Sequence, residues 1–315
     1  MRLSQIVGAA VLVGSLAGFW PDAAPAQDKV IGIGFQKYGN LILLKGRGGL
    51  ESKLAPLGYK VEWKEFPSGP PLLEALNAGA IDFGHAGETP PIFAQAAGVP
   101  FVYAAYEPAA PKGEAILVPR NSPIKSVADL KGKKVALNKG SNVHYLLVRA
   151  LENAGVKYSD IETAFLAPAD ARAAFERGAV DAWVIWDPYQ AAAEAATGAR
   201  TLTDASGLAP NRQFYLASRK LAESNPKVLD AIVAEIADID HWASGRDKEV
   251  ADELSASIGI PASILEVALG RQTYGVRPID AETVADQQHI ADTFYGLGLI
   301  PKEIVVSTDV RKPGS

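Results

Sequence analysis

The sequence predicts an α/β protein of two similar lobes with a ligand cleft between them. Three observations carry this. A chain of 315 residues is long for one compact core and suits two. Short apolar stretches of strand length alternate with segments of helical period, the pattern of βα units. And a helix–glycine–strand unit occurs twice, at 73–83 and 173–183, a separation of about 100 residues that is domain-sized rather than solenoid-sized. Two α/β lobes joined by crossings form a hinge, and strand carboxyl ends and helix starts then face the cleft.

Before the first strand, Arg2 supplies a positive start, 6–19 an apolar run broken by small residues, and Ala24-Pro25-Ala26 a small-residue cleavage site. This reads as a secretory signal peptide over 1–26. The run is short for a transmembrane helix. Without cysteine, no lipid can be attached to a cleaved N-terminal Cys, so an exported, unanchored, periplasmic protein is expected.

The strand 29–35 ends at Gln36, and a short helix follows over 41–45. Residues 59–66 form a second strand. A turn at Ser68-Gly69-Pro70-Pro71 leads into a helix with Leu72, Leu73 and Leu76 on one face. Gly79 ends that helix, and 80–84 is the next strand. Thr89 as N-cap with Pro90 behind it opens a helix over 92–97. After the strand 101–106, Pro108 and Pro111 mark the first crossing.

The second lobe starts with a strand at 115–118 and a short helix at 127–130. The strand 135–137 then runs into Asn138-Lys139-Gly140-Ser141-Asn142, where Gly140 permits the turn and Ser141 or Asn142 caps a helix. Strands at 161–166 and 180–186 bracket a helix at 168–177, and Asp187-Pro188 opens the next. The chain returns at 214–217. Helices follow at 226–242, 247–258, 261–269 and 280–297, and the polar tail after Val306 is expected to be loose.

Composition excludes several functions. The formal net charge of −5 gives no basic footprint for nucleic acid. Zero cysteines exclude disulfides, thiolate nucleophiles and Cys-ligated metals. The glycines at 32 and 34 do not complete a dinucleotide fingerprint, there is no phosphate-binding loop of the G-x-x-x-x-G-K type, and no G-x-S-x-G elbow. His85, His144, His241 and His289 lack paired metal-ligand spacing.

The strand ends carry mostly neutral donors, suited to a small anion without an arginine. A helix start offers unpaired N–H groups and a partial positive charge, although an ordinary capped turn needs no ligand. Glu88 could meet a ligand amine or simply favour its own helix start. His144 could reach the cleft or be an ordinary first-turn residue. Trp183 reads as packing, on the opposite strand face from Trp186.

Taken together, 68–76, 87–98, 135–151, 168–175, 185–189, 214–217 and Phe294-Tyr295 resemble the aliphatic-sulfonate-binding proteins of bacterial ABC importers, over essentially the whole mature chain. The resemblance implies a type II periplasmic-binding-protein fold, with lobe I from 27–109 plus 212–315, lobe II from 110–211, and the ligand in the cleft. It implies an alkanesulfonate ligand bound by Gln36, Ser68, Gly69, Glu88, Thr89, Gly140, Ser141 and Asn142, with His144, Trp186 and Asp187 as further candidates. Trp186 or Tyr215 would hold the tail. Asn138, where relatives can carry Gln, and Asn211-Arg212-Gln213 are the positions expected to tune it. The implied partners are a membrane permease and its cytoplasmic ATPase. A monomer with no cofactor, metal or catalytic residue is expected. Within the class, taurine, nitrate or a thiamine precursor are alternative ligands. A two-lobed enzyme or a sensory receptor partner are the alternatives outside it.

Overall fold

The computed structural model describes residues 29–312; the signal-peptide reading over 1–26 lies outside the described residues. Two five-stranded sheets organise the chain. The first contains β1 (Lys29–Phe35), β2 (Tyr59–Glu65), β3 (Phe83–Gly87), β4 (Phe101–Tyr106) and β10 (Gln213–Ser218), in the order β2-β1-β3-β10-β4. The second contains β5 (Glu114–Val118), β6 (Lys134–Leu137), β7 (Glu162–Phe165), β8 (Ala182–Trp186) and β9 (Arg200–Asp204), in the order β7-β6-β8-β5-β9. The two orders are the same plan. In each sheet four strands run in the same direction, and the strand that enters by a crossing, β10 or β5, runs antiparallel to its two neighbours.

The recurring helix–glycine–strand unit falls at equivalent places. Helix α3 (Gly69–Asn77) leads into β3, and α6 (Pro168–Glu176) leads into β8. The shared aspartate has a local reason. Asp82 Oδ2 accepts from the Gly32 N–H at 2.9 Å, and Asp181 Oδ2 accepts from the Lys134 N–H at 2.8 Å. Each aspartate also donates its own N–H to the carbonyl of that same residue. A short side chain thus extends the ladder by one residue before the strand begins.

That device shifts β3 from the expected 80–84 to Phe83–Gly87. Residues 78–80 are still held by the end of α3, through N–H bonds to Glu74, Leu76 and Ala75. His85, Ala86 and Gly87 are therefore ladder residues paired with β10. The sequence reading omitted β9 and the short helix α8 (Arg219–Ser224). The tail is also not loose up to residue 310. Val310 bridges to Tyr103, and Asp309 pairs with Arg219 at 2.5 Å.

Helices α1 (Asn40–Arg47), α2 (Gly49–Leu54), α9 (Pro226–Ala243) and α10 (Asp247–Ile258) share one apolar core with the first sheet. Helices α3, α4 (Thr89–Ala96) and α12 (Ala281–Gly296) share the other. This second core continues into the other lobe, whose sheet carries α5 (Asn142–Asn153), α6 and α7 (Tyr189–Thr197). Phe294 of α12 is the junction: its ring centroid lies 5.1 Å from Phe93 of α4 and 5.2 Å from His144 of α5. Helix α11 (Ala262–Leu269) packs on α10 and reaches α7 of the other lobe.

Phe294 is fully buried, so truncation leaves a cavity that few neighbours can fill. Phe294→Ala should cost about 3–5 kcal/mol of stability, readable as a lower urea midpoint. A shift below about 1 kcal/mol would show that the two lobes do not depend on this contact.

Candidate ligand cleft

Three helix starts converge where the sheets face each other. A Cβ built on Gly69, at the start of α3, would lie 2.7 Å from Pro90 Cγ at the start of α4. One on Gly87, at the end of β3, would lie 2.8 Å from Asn142 Cβ at the start of α5. Gly140 takes φ +71°, and a Cβ built there would lie 3.5 Å from the Phe93 ring. The turns at 68–69, 88–89 and 140–142, drawn from both sheets, therefore form one locus.

Each start has its own chemistry. Pro70, Pro71, Pro90 and Pro91 occupy the first turns of α3 and α4 and bring no N–H. Thr89 is the first helical residue rather than the cap; Glu88 fills the cap position in helical geometry, at φ −67° and ψ −30°. The Thr89 hydroxyl is buried and has no partner among the described residues. Ser141 does sit in the cap position of α5, but its hydroxyl donates to the Asn138 carbonyl at 2.7 Å instead of capping. At α5 the donors left over by helix geometry are the backbone N–H groups of Asn142 and Val143.

Beside this locus lies a cavity that opens to solvent. Of the sequence-predicted site residues, Asn142, Trp186 and Asp187 line it, as do Asn211, Arg212 and Gln213, the stretch expected to tune the tail. Gln36 stands just behind, its side chain donating to the His85 carbonyl at 3.0 Å and its N–H to His85 Nε2 at 3.2 Å. Ser68, Gly69, Glu88, Thr89, Gly140 and Ser141 are buried at the helix starts and are not in the cavity wall. His144 is a core residue. Its Nδ1 accepts from the Gly140 N–H at 3.3 Å, its Nε2 meets the Tyr158 hydroxyl at 2.8 Å, and rings of Phe93, Phe165 and Phe294 surround it. With both nitrogens occupied, it has nothing left for a ligand. Tyr215 is also enclosed, its hydroxyl donating to Glu107 at 2.8 Å, so of the two residues expected to hold the tail only Trp186 lines the cavity.

Much of the cavity wall was missed by sequence reasoning. Tyr38 and Gly39 follow the end of β1, and Glu107 follows the end of β4; the strand-end rule could have found them. Leu254, Ile258, Leu265 and Leu269 come from α10 and α11, and nothing in their helical pattern separates a cleft face from a core face. The wall also contains cations, beyond the mostly neutral donors expected at the strand ends. Each has a carboxylate: Arg212 with Asp286 at 2.5 Å, Arg271 with Glu194 at 2.7 Å and Asp187 at 3.3 Å, and Lys37 with Glu65 at 3.7 Å. Lys139 is exposed over the Phe165 ring.

The acids are the unusual feature. Asn40 touches Glu107, Tyr215 and Asp240, making a buried network at the root of the crossings. Glu88 Oε2 accepts from the Arg212 N–H at 2.9 Å, and Glu114 Oε2 accepts from Asn142 Nδ2 at 2.5 Å. Burial pushes Glu88 up to about 7 and Glu107 up to about 8, and raises Glu114 well above the carboxylate range. Burial acts oppositely on His85 and His144, which fall to about 4.

The pH dependence of stability follows. The folded chain holds protons on these carboxyls that an unfolded chain releases at ordinary carboxylate values. Their stabilisation is fully present below about pH 4.5 and is lost as pH rises through the folded values. The two histidines contribute the reverse slope, but only up to their unfolded value of about 6.5. From pH 6.5 to 8 the carboxyls act alone, so unfolding free energy should fall, by on the order of 1.4 kcal/mol per pH unit for each group releasing its proton. Urea midpoints at pH 6.5 and 8.0 test this, and a higher midpoint at 8.0 would show the acids ionised in the fold.

Comparison with known proteins identifies the lineage. The NMT1-like family matches residues 28–259. The crystal structure of the periplasmic aliphatic sulphonate binding protein SsuA from Escherichia coli superposes with a TM-score of 0.83 at 44% identity, covering 91% of this chain and 93% of that one. The alkanesulfonate-binding protein SsuA from Xanthomonas axonopodis pv. citri, bound to MOPS, superposes at 0.86 and 40% identity, covering 90% and 99%. The taurine-binding periplasmic protein of Escherichia coli (strain K12) is 28% identical over 69% of this chain and 70% of its own length. The family match over residues 28–259 and these identities over nine-tenths of the sequence place the chain in the NMT1-like family, beside the aliphatic-sulfonate-binding proteins.

Proposed function

We propose that this protein is an exported, monomeric solute-binding protein that captures an aliphatic sulfonate between its lobes and hands it, unchanged, to a membrane permease driven by a cytoplasmic ATPase. The observation that carries the reading is the convergence of three helix starts from two sheets beside an apolar-walled cavity. A sulfonate is ionised at all biological pH values and presents three acceptor oxygens. The N–H groups at 68–69, 88–89 and 142–143, with the Thr89 hydroxyl, are donors of the kind it needs. The paired state of Arg212, Arg271 and Lys37 supports a site that works without a free cation. Lobe I is taken as 27–109 plus 212–315 and lobe II as 110–211, with closure about the two crossings.

The tail would lie against Trp186, Leu43 and the leucines of α10 and α11. Each methylene moved from water into that wall contributes roughly 0.8 kcal/mol, or about fourfold in affinity. Calorimetry from methanesulfonate through octanesulfonate should show this rise until the cavity is full. A flat series, or tighter binding of inorganic sulfate, points instead to a small-oxyanion carrier.

Closure should depend on Gly87. A methyl group there meets Asn142, and overpacking of this kind costs about 1–3 kcal/mol. Gly87→Ala should therefore weaken the best linear alkanesulfonate by about fivefold to a hundredfold while leaving the circular dichroism spectrum unchanged. Wild-type affinity in that variant would place closure elsewhere.

A further inference from the structure

We propose that the preferred ligand is zwitterionic: a sulfonate whose protonated amine seats between Glu88 and Glu114 while its acid group meets the helix starts. The inference rests on the sulfonate reading and narrows it.

The two carboxyls come from different lobes, Glu88 after β3 and Glu114 at the first residue of β5, and both are 0% exposed. Each has one oxygen bonded to a neutral donor, the Arg212 N–H or the Asn142 amide. Each has a second oxygen with no partner among the described residues, and the adjacent Thr89 hydroxyl, also fully buried, has none there either. Neither carboxylate forms an ion pair among the described residues. The guanidinium nearest in effect to Glu88 is that of Arg212, which is bonded to Asp286.

Two acids from opposing lobes thus lie in each other's field with no ion-pair partner of their own among the described residues. Each adds its charge to the field at Tyr38, whose side chain lines the cavity. Glu114 is tied directly to Asn142 in the same wall. A buried carboxylate keeps its charge only if it is paired and hydrogen-bonded. An alkylammonium supplies one positive charge and three N–H donors. The second oxygens of Glu88 and Glu114 and the Tyr38 hydroxyl are three acceptors of matching kind. A plain alkanesulfonate offers none of this, and its arrival would leave both acids protonated or unpaired.

The test uses ligand pairs of equal heavy-atom count: 2-aminoethanesulfonate against propanesulfonate, and 3-aminopropanesulfonate against butanesulfonate, by calorimetry on the mature protein. The amine member of each pair should bind about tenfold to a hundredfold more tightly, as expected for hydrogen bonds to charged groups. In Glu88→Gln and Glu114→Gln the ratio of the two dissociation constants should fall toward one. A wild-type ratio of one or less overturns this proposal alone, because sulfonate is then bound beside protonated acids. Failure of all four compounds to bind overturns the sulfonate reading with it.

Discussion

The structure turns on a place where no side chain fits. At position 87 the end of β3 approaches the start of α5 so closely that a methyl group would overlap Asn142. Glycine there is a requirement of contact between lobes, and other features follow from it. Asn142 comes within reach of both Glu114 and Asn211. Glu88, one residue on, is carried out of water and into the field of Glu114. The raised carboxyls are therefore a consequence of closure, since an open cleft would rehydrate both.

The same approach wires the crossings together. Asn211 takes φ 49°, a left-handed conformation that asparagine tolerates better than most residues. From there its amide donates to the Ala110 carbonyl of the other crossing at 2.8 Å, and its Oδ1 accepts from Asn142 at 3.0 Å. One short side chain thus joins both connecting segments to the helix start that lies nearest the cavity. Glu107, at the root of the first crossing, bonds to the second through its own N–H and the Gln213 carbonyl. Motion of either lobe is transmitted to these few polar contacts, because the strands on either side are held by full ladders.

The sequence was most readable where local chemistry and tertiary placement agree. β4 and α10 fall at the expected residues because their apolar periods are clear and their ends are marked by glycine or proline, and β1 because its apolar run is clear. β3 was displaced because Asp82 reads as part of a strand but acts as a side-chain extension of the ladder. β9 has weak strand character and is half-exposed, so only the shared plan of the two sheets shows that a strand belongs there, as the counterpart of β4. Helix starts could be located from glycine, serine, threonine and proline. What their side chains do could not. Ser141 turns to its own loop, and His144 is absorbed by a core that spans both lobes. The leucines of α10 and α11 were invisible as cleft residues because burial in a core and burial around a ligand leave the same pattern.

Charge in the cavity wall is arranged so that cations close the structure and do not wait for the ligand. Arg271 follows α11 in the first lobe and reaches Glu194 and Asp187 in the second, at the cavity mouth. Even with that guanidinium beside it, burial leaves Asp187 raised to about 6. Desolvation therefore outweighs attraction here, as it does in many partly buried ion pairs. The pair adds little net stability but fixes how α7 meets α11, since separating it would strand a carboxylate in a poorly hydrated wall. At the opposite end, Phe93, His144 and Phe294 hold α4 and α12 against α5 by apolar contact. The lobes are thus joined by a dry contact at one side and a charged one at the other, with the helix starts between them. An anion in that space meets fixed dipoles and N–H groups, and its affinity should respond to their geometry more than to ionic strength.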